Sequence, residues 1–157
     1  IKKLKNSDKY NFTLIGSVAD KSDVELLNIL EICKSYKNFK YISWTNDVNK
    51  FYKKSHVGIL LSYREGMSVF LMEAAATGLP IIASNIPSNS EIVNDGINGY
   101  LINNYNYKDF ENSIEKIISS LESYSKMSFN SSQIIKKYFD ERLILSKFNK
   151  ILDNEKI

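Results

Sequence analysis

One cysteine, one histidine and one tryptophan occur among the 157 residues. Cys33 alone cannot close an internal disulfide, which points to a reducing, cytoplasmic setting. His56 has no His or Cys nearby and reads as structural, and a single histidine gives no basis for a Ser–His–Asp triad. No Asp-x-Asp or His/Asp cluster occurs either, so no metal is expected. No apolar run approaches the roughly 20 residues of a membrane span, and no signal-peptide pattern is visible. A net charge of +3 with well-spread lysines lacks the clustered basic face that nucleic acid demands. The one cluster, Lys2, Lys3, Lys5 and Lys9, reads as a solvated end rather than a membrane-surface contact. Internal repeats and low-complexity segments are absent. The chain opens on Ile1 rather than Met, so a fragment of a longer protein is expected.

What is present suits one α/β domain over 1–157. The length allows a sizeable core, and 43% hydrophobic with 25% charged residues is ordinary for a globular chain. The organising stretch is Leu60 to Gly99, LLSYREGMSVFLMEAAATGLPIIASNIPSNSEIVNDGING. An apolar run ends at Leu61, and Ser62 to Gly66 form a polar turn. Val69 to Thr77 read as a compact apolar helix. Gly78 stops that helix, because glycine takes the left-handed C′ conformation without a Cβ penalty. Pro80 follows, and Ile81 to Ala83 restart a buried strand. Strand, helix and parallel strand make a βαβ unit.

The rest follows the same alternation. Tyr10 to Gly16 read as a buried strand. Ser22 and Glu25 form a capping box for a helix to about Tyr36, with Val24, Leu27, Leu30 and Cys33 near one face. Phe39 to Ser43 is the second strand. Asn46 or Asp47 caps a short helix to Lys54. Val57 to Leu61, Pro80 to Ser84 and Tyr100 to Ile102 complete the strands, and Ser88 and Glu91 make a second capping box. Asn103 to Asn106 read as a turn. Helices then occupy about 107–122, 126–138 and 140–153, with Phe110, Ile114, Ile117, Ile118 and Leu121 at helical spacing. This order predicts a Rossmann-like, three-layer α/β/α fold with a parallel sheet and a helical C-terminal tail. Ligands bind such sheets beyond the carboxyl ends of the strands. Gly16, Trp44 to Asn46, Ser62 to Gly66 and Ser84 to Pro87 fall there.

The chemistry concentrates on two carboxylates. Glu65 lies in the loop before the organising helix and Glu73 within it, an E-x7-E spacing. Met67, Ser68 and Val69 offer backbone amides at a positive helix end, which suits an anion such as a diphosphate. Carboxylates repel phosphate but accept from sugar hydroxyls, as acidic residues do for ribose. Anion hole and hydroxyl acceptors together suggest a nucleoside diphosphate sugar. Several neighbours carry two readings. Gly16 is a plain strand end or a close approach for phosphate. Trp44 packs in the core or walls the base pocket, the core being favoured. Glu91 caps its helix or touches the donor, the cap being favoured. Arg64 meets phosphate or forms a surface ion pair.

The strings SYREGMSVFLMEAAATGLPIIAS and EIVNDGINGYLI together resemble the donor-binding half of retaining glycosyltransferases of the GT-B fold, family 4 (glycosyl transferases group 1). Gly66, Gly78, Pro80, Glu91, Asp95, Gly96 and Gly99 stand in register with that family's pattern. The resemblance runs from about Tyr10 to Ile102. It implies a C-terminal donor domain, one half of a GT-B fold, whose missing N-terminal half would hold the acceptor. Glu65 and Glu73 are then the candidate catalytic residues, Glu65 nearest the donor sugar and Glu73 on the ribose, neither needing to be a covalent nucleophile. Gly66, Met67, Ser68 and Val69 match the loop whose amides face sugar and diphosphate. Gly16, Trp44 and Thr45 complete the expected donor site, Thr45 through a loop backbone that reads the base. Gly78, Gly96 and Gly99 read as turn and cap glycines.

Two departures stand out. The family's further glycine after the first strand is replaced by Ser17-Val18. The Arg/Lys pair that neutralises the diphosphate has no match among Ile1 to Lys9. The resemblance implies a metal-independent transfer needing no cofactor, from a nucleoside diphosphate sugar to a glycan or other hydroxyl. A UDP-sugar is the default donor and GDP-mannose the next. Any peripheral contact with the inner membrane face would run through the missing half, and the fragment alone would be inactive. The alternatives are a GT-B nucleotide-sugar epimerase and a non-catalytic nucleotide-binding module.

Overall fold

The computed structural model describes residues 7–18, 22–103 and 106–154. Lys2, Lys3 and Lys5 lie outside them, as do parts of the loops expected at 17–21 and 103–106. The chain forms two compact units, Ile1–Lys50 and Phe51–Ile157.

In the first unit, a 3-10 turn at Ser7–Lys9 leads to β1 (Phe12–Ile15), α1 (Val24–Lys34) and β2 (Phe39–Ile42). The strands pair in parallel, from Phe12 opposite Phe39 to Ile15 opposite Ile42. Asp23, not Ser22, caps α1, its carboxylate accepting from the Leu26 amide at 2.9 Å. Asp23 stands next to the first helical residue, so the expected box is offset by one position. Two strands give α1 a narrow floor. Only Leu30 of its expected face is buried, while Val24 and Leu27 are exposed and Cys33 is half-buried. Leu14 is 45% exposed, so β1 is not the buried strand expected.

The short helix α2 (Asn49–Tyr52) leads into the second unit. There β3 (Gly58–Leu60), α3 (Val69–Ala76), β4 (Ile81–Ser84), α4 (Pro87–Ser90) and β5 (Gly99–Ile102) alternate. The three strands run parallel in the order β3-β4-β5. Strand β4 is central and buried throughout, which is why it reads as a continuous apolar run. Helix α3 packs on β3 and β4, and α5 (Tyr107–Ile118) on β4 and β5. Helix α6 (Leu121–Tyr138) packs against both α3 and α5, and α7 (Glu141–Asn154) ends the described chain. Leu71, Ala74, Ala75, Ile81, Ile82, Ile92, Val93, Ile114, Ile117 and Met127 form the core. Ile114 and Ile117 are buried, whereas Ile118 is 46% and Leu121 81% exposed. The helix breaks before Leu121, because Ser120 caps α6 by accepting from the Ser123 amide at 3.1 Å. The boundary expected near 122–126 therefore moves forward. Among the described residues, no helix is long and apolar enough to cross a membrane.

Local signals fix the centre of this unit. Ser68 caps α3 with its hydroxyl, 3.3 Å from the Leu71 amide. At the other end Gly78, at φ 84°, makes a Schellman closure. Its amide donates to the Ala75 carbonyl at 2.9 Å, and the Leu79 amide donates to Ala74 at 3.0 Å. Helix α4 lacks the expected capping box. Ile86 precedes it without a side-chain cap, Pro87 occupies its first turn, and Glu91 lies at its C-terminal end. Proline takes the first helical position because it has no amide to be orphaned.

The turn before β5 is held by Asn98, which is fully buried. Its Oδ1 accepts from the Asn94 amide at 2.7 Å and its Nδ2 donates to the Ile92 carbonyl at 3.1 Å. The Asn98 carbonyl accepts from Ser131 Oγ of α6 at 3.1 Å. Gly99 opens β5 and is a strand residue, not a cap. A Cβ on it would strike the backbone carbonyl of Ile81 on β4. Ile81 also stands in register with Gly58 on β3, so a glycine flanks it on each side.

Candidate functional site

Within each unit, the expected loops directly follow the carboxyl ends of their strands. Gly16 follows β1, Trp44 and Thr45 follow β2, Ser62 to Gly66 follow β3, and Asn85 and Ile86 follow β4.

The second unit carries Glu65, Gly66, Met67, Ser68, Val69 and Glu73 on one continuous stretch from β3 into α3. Glu65 is exposed, and its Oε1 accepts from Ser62 Oγ at 2.6 Å. That bond ties the Glu65 carboxylate to the start of its own loop. Nothing lies within 4 Å of where a Cβ on Gly66 would sit, so the backbone there is open to approach. Met67 is 58% and Val69 60% exposed, whereas Ser68 is buried by its capping role. The first intrahelical bond runs from the Met72 amide to the Ser68 carbonyl at 3.1 Å. Ser68 Oγ takes the Leu71 amide, so the Val69 and Phe70 amides have no intrahelical acceptor. A helix start of this kind carries partial positive charge and suits an anion.

Glu73 lies in the middle of α3 and is exposed. Its Oε2 accepts from the Tyr52 hydroxyl at 3.0 Å. Tyr52 is itself buried, with its ring 6.0 Å from that of Phe70. Burial first, then the hydrogen bond to Glu73 and its negative charge, push the Tyr52 hydroxyl well above the usual phenol range. The sequence gives no hint of this pair, because the partners are 21 residues apart and on different elements.

In the first unit, the Gly16 amide donates to the Ile42 carbonyl at 3.0 Å, and no atom lies within 4 Å of a Cβ position there. Trp44 is 73% exposed, which overturns the favoured reading of it as a core residue. Thr45 Oγ1 accepts from the Asp47 amide at 3.2 Å and organises the turn into α2. Asp47 caps that helix, its Oδ1 3.4 Å from the Lys50 amide. Three further residues resolve plainly. Arg64 makes no ion pair among the described residues, so the surface-pair reading fails. His56 sits edge-on to Tyr124 with ring centroids 6.2 Å apart, a packing contact in keeping with a structural role. Glu91 does not close a capping box.

The model of the family described as glycosyl transferases group 1 matches residues 1–133. An uncharacterized glycosyltransferase of Haemophilus influenzae is 29% identical over 136 residues, covering 86% of this chain and 38% of that protein. The Escherichia coli UDP-Gal:alpha-D-GlcNAc-diphosphoundecaprenol alpha-1,3-galactosyltransferase is 32% identical over 111 residues, covering 68% and 27%. The chain thus spans well under half the length of these relatives. Among solved structures, Anabaena HepE in complex with UDP-glucose superposes with TM-score 0.80 at 20% identity, covering 92% of this chain and 41% of that one. The C-terminal domain of the group 1 glycosyl transferase LpcC from Francisella tularensis superposes with TM-score 0.71 at 19% identity, covering 89% and 90%. The fold of this chain is that of GT-B glycosyltransferase domains.

Proposed function

The chain belongs to the glycosyl transferases group 1 family, and on that premise we propose that it is the C-terminal donor-binding domain of a retaining, metal-independent glycosyltransferase. The parent enzyme moves a sugar from a nucleoside diphosphate sugar, a UDP-sugar by default, to a hydroxyl of a growing glycan. One observation carries the reading: a single stretch from β3 into α3 sets Glu65 before, and Glu73 within, a helix whose first amides, at Val69 and Phe70, have no intrahelical acceptor. The E. coli relative is named for a UDP-galactose donor, and the HepE structure holds UDP-glucose. The near-complete overlap with an isolated C-terminal domain supports the domain assignment.

In this proposal the Glu73 carboxylate accepts from the ribose hydroxyls, and Glu65 touches the transferred sugar. The amides from Gly66 to Val69 face the sugar and diphosphate, where the positive helix start helps the leaving group carry its charge. The leaving phosphate oxygen assists attack from the same face, which retains configuration at the anomeric carbon. Gly16, Trp44 and Thr45 of the first unit are candidates for donor binding on the family resemblance alone.

The test separates the two carboxylates in the complete enzyme. A charge-assisted hydrogen bond contributes roughly 1.5–3 kcal/mol, so losing one costs about tenfold or more. Glu65→Ala therefore lowers turnover at least about tenfold while affinity for UDP, which lacks the sugar, stays nearly unchanged. Glu73→Gln instead weakens UDP and UDP-sugar alike. Unchanged turnover in Glu65→Ala removes the donor-site assignment at its centre, and inversion at the product anomeric carbon, read by NMR, removes retention.

A further inference from the structure

Glu73 has a contact that the donor reading leaves unused. Tyr52 reaches it from α2, and Tyr52 is only 7% exposed while Glu73 is exposed. The Tyr52 ring rests against Phe70, three residues before Glu73 on α3, at a centroid distance of 6.0 Å and a 50° tilt. A buried ring thus aims one hydroxyl at an exposed carboxylate. Buried tyrosines need a partner for that hydroxyl, and Glu73 supplies it at 3.0 Å. Among the described residues, no other side chain bonds the Glu73 carboxylate. Burial and the bond to Glu73 both push the Tyr52 pKa up from the ordinary phenol value, so the hydroxyl stays protonated and donates at neutral pH.

A glutamate on a helix surface samples several rotamers, and ordering it on a ligand costs entropy. A tether already in place removes part of that cost before the ligand arrives. An ionised carboxylate has about four acceptor positions. The phenol uses one and leaves enough for two hydroxyls.

We propose that Tyr52 is a positioning residue for ribose recognition: it holds Glu73 Oε2 so that the remaining acceptor positions meet the donor's ribose hydroxyls, which sets the preference for ribose over deoxyribose. The inference rests on the ribose role proposed for Glu73. Tyr52 touches no substrate in this scheme and acts only through the carboxylate.

Titration calorimetry on the complete protein, with UDP and 2′,3′-dideoxy-UDP, tests it. Tyr52→Phe deletes the hydroxyl and keeps the ring on Phe70. It weakens UDP about fivefold to tenfold and the dideoxy nucleotide less than about twofold, with the thermal transition in place. Glu73→Ala alone weakens UDP more than the dideoxy nucleotide. Adding Tyr52→Phe to Glu73→Ala then changes neither affinity, because the carboxylate through which the phenol acts is gone. If Tyr52→Phe weakens both ligands equally or neither, while Glu73→Ala still discriminates, the positioning role is overturned and the ribose role stands. If Glu73→Ala fails to discriminate, the ribose role falls and this inference with it. A Tyr52→Phe protein that does not fold makes the hydroxyl structural and overturns the inference too.

Discussion

Replacing Asn98 by alanine removes the clasp of the turn before β5. Two bonds are lost, the one from the Asn94 amide at 2.7 Å and the one to the Ile92 carbonyl at 3.1 Å. Ile92 is fully buried, so its carbonyl has no route to water. Asn94 is exposed, so its amide recovers part of its bonding from solvent. A buried unsatisfied group costs about 1–3 kcal/mol, and a solvated one about 0.5–1 kcal/mol, which places Asn98→Ala near 3 kcal/mol. For a chain of this size that lowers Tm by about 6–12 °C. Asp95→Ala is the control. Its Oδ1 accepts from the Leu101 amide at 2.8 Å, but the site is exposed and the loss stays near 1 kcal/mol or below. Urea unfolding followed by circular dichroism gives both values, with the m-value unchanged. An Asn98→Ala loss below about 1 kcal/mol, or one equal to that of Asp95→Ala, would refute the argument that buried satisfaction and not the turn itself holds this corner.

Gly99→Ala pushes a methyl into the Ile81 backbone of the central strand, so the chain loses its cooperative unfolding transition in circular dichroism. Gly66→Ala meets nothing within 4 Å and shifts stability by no more than about 0.5 kcal/mol in the same assay. Asp140 is held down to about 2 by hydrogen bonds from the Arg142 side chain and amide. Because its folded value lies below the ordinary 3.8, the ionised carboxylate favours the folded state above that range, and the gain is lost as pH falls through about 2. In Arg142→Ala, an NMR titration finds the Asp140 midpoint moved up toward 3.8.

The parts of the site that were legible in the sequence are those fixed by neighbours along the chain. Ser68, Gly78 and Pro80 act within one or two turns of their own positions, so α3 and β4 fall within a residue or two of their expected bounds. The spacing of Glu65 and Glu73 needs only the length of that helix. The capping boxes failed for the opposite reason. A Ser-x-x-Glu pattern arises easily, and Asp23 in one case and Pro87 in the other had the stronger local claim. Long-range partners left no trace. Tyr52 meets Glu73 across 21 residues, and Asn98 meets Ser131 across 33. Trp44 misled because large aromatics usually sink into cores, and β2 belongs to a sheet of only two strands. Gly16, Trp44 and Thr45 carry no spacing signal toward Glu65 or Glu73, and only the family resemblance connects them.

The row Gly58–Ile81–Gly99 across the second sheet restricts how this chain can diverge. A Cβ on Gly58 would lie 2.9 Å from Ile81 Cδ1, a side-chain atom that a smaller residue at position 81 would take away. Gly58 can therefore take a side chain only where Ile81 is made smaller and α3, whose Ala74 Cβ lies 3.2 Å from the same position, gives by a few tenths of an ångström. Gly99 has no such trade, since what blocks it is the main chain of Ile81, which every amino acid shares. Two glycines in the same row thus have different histories open to them: one can drift in step with its neighbours, and the other is fixed for as long as the two strands stay side by side.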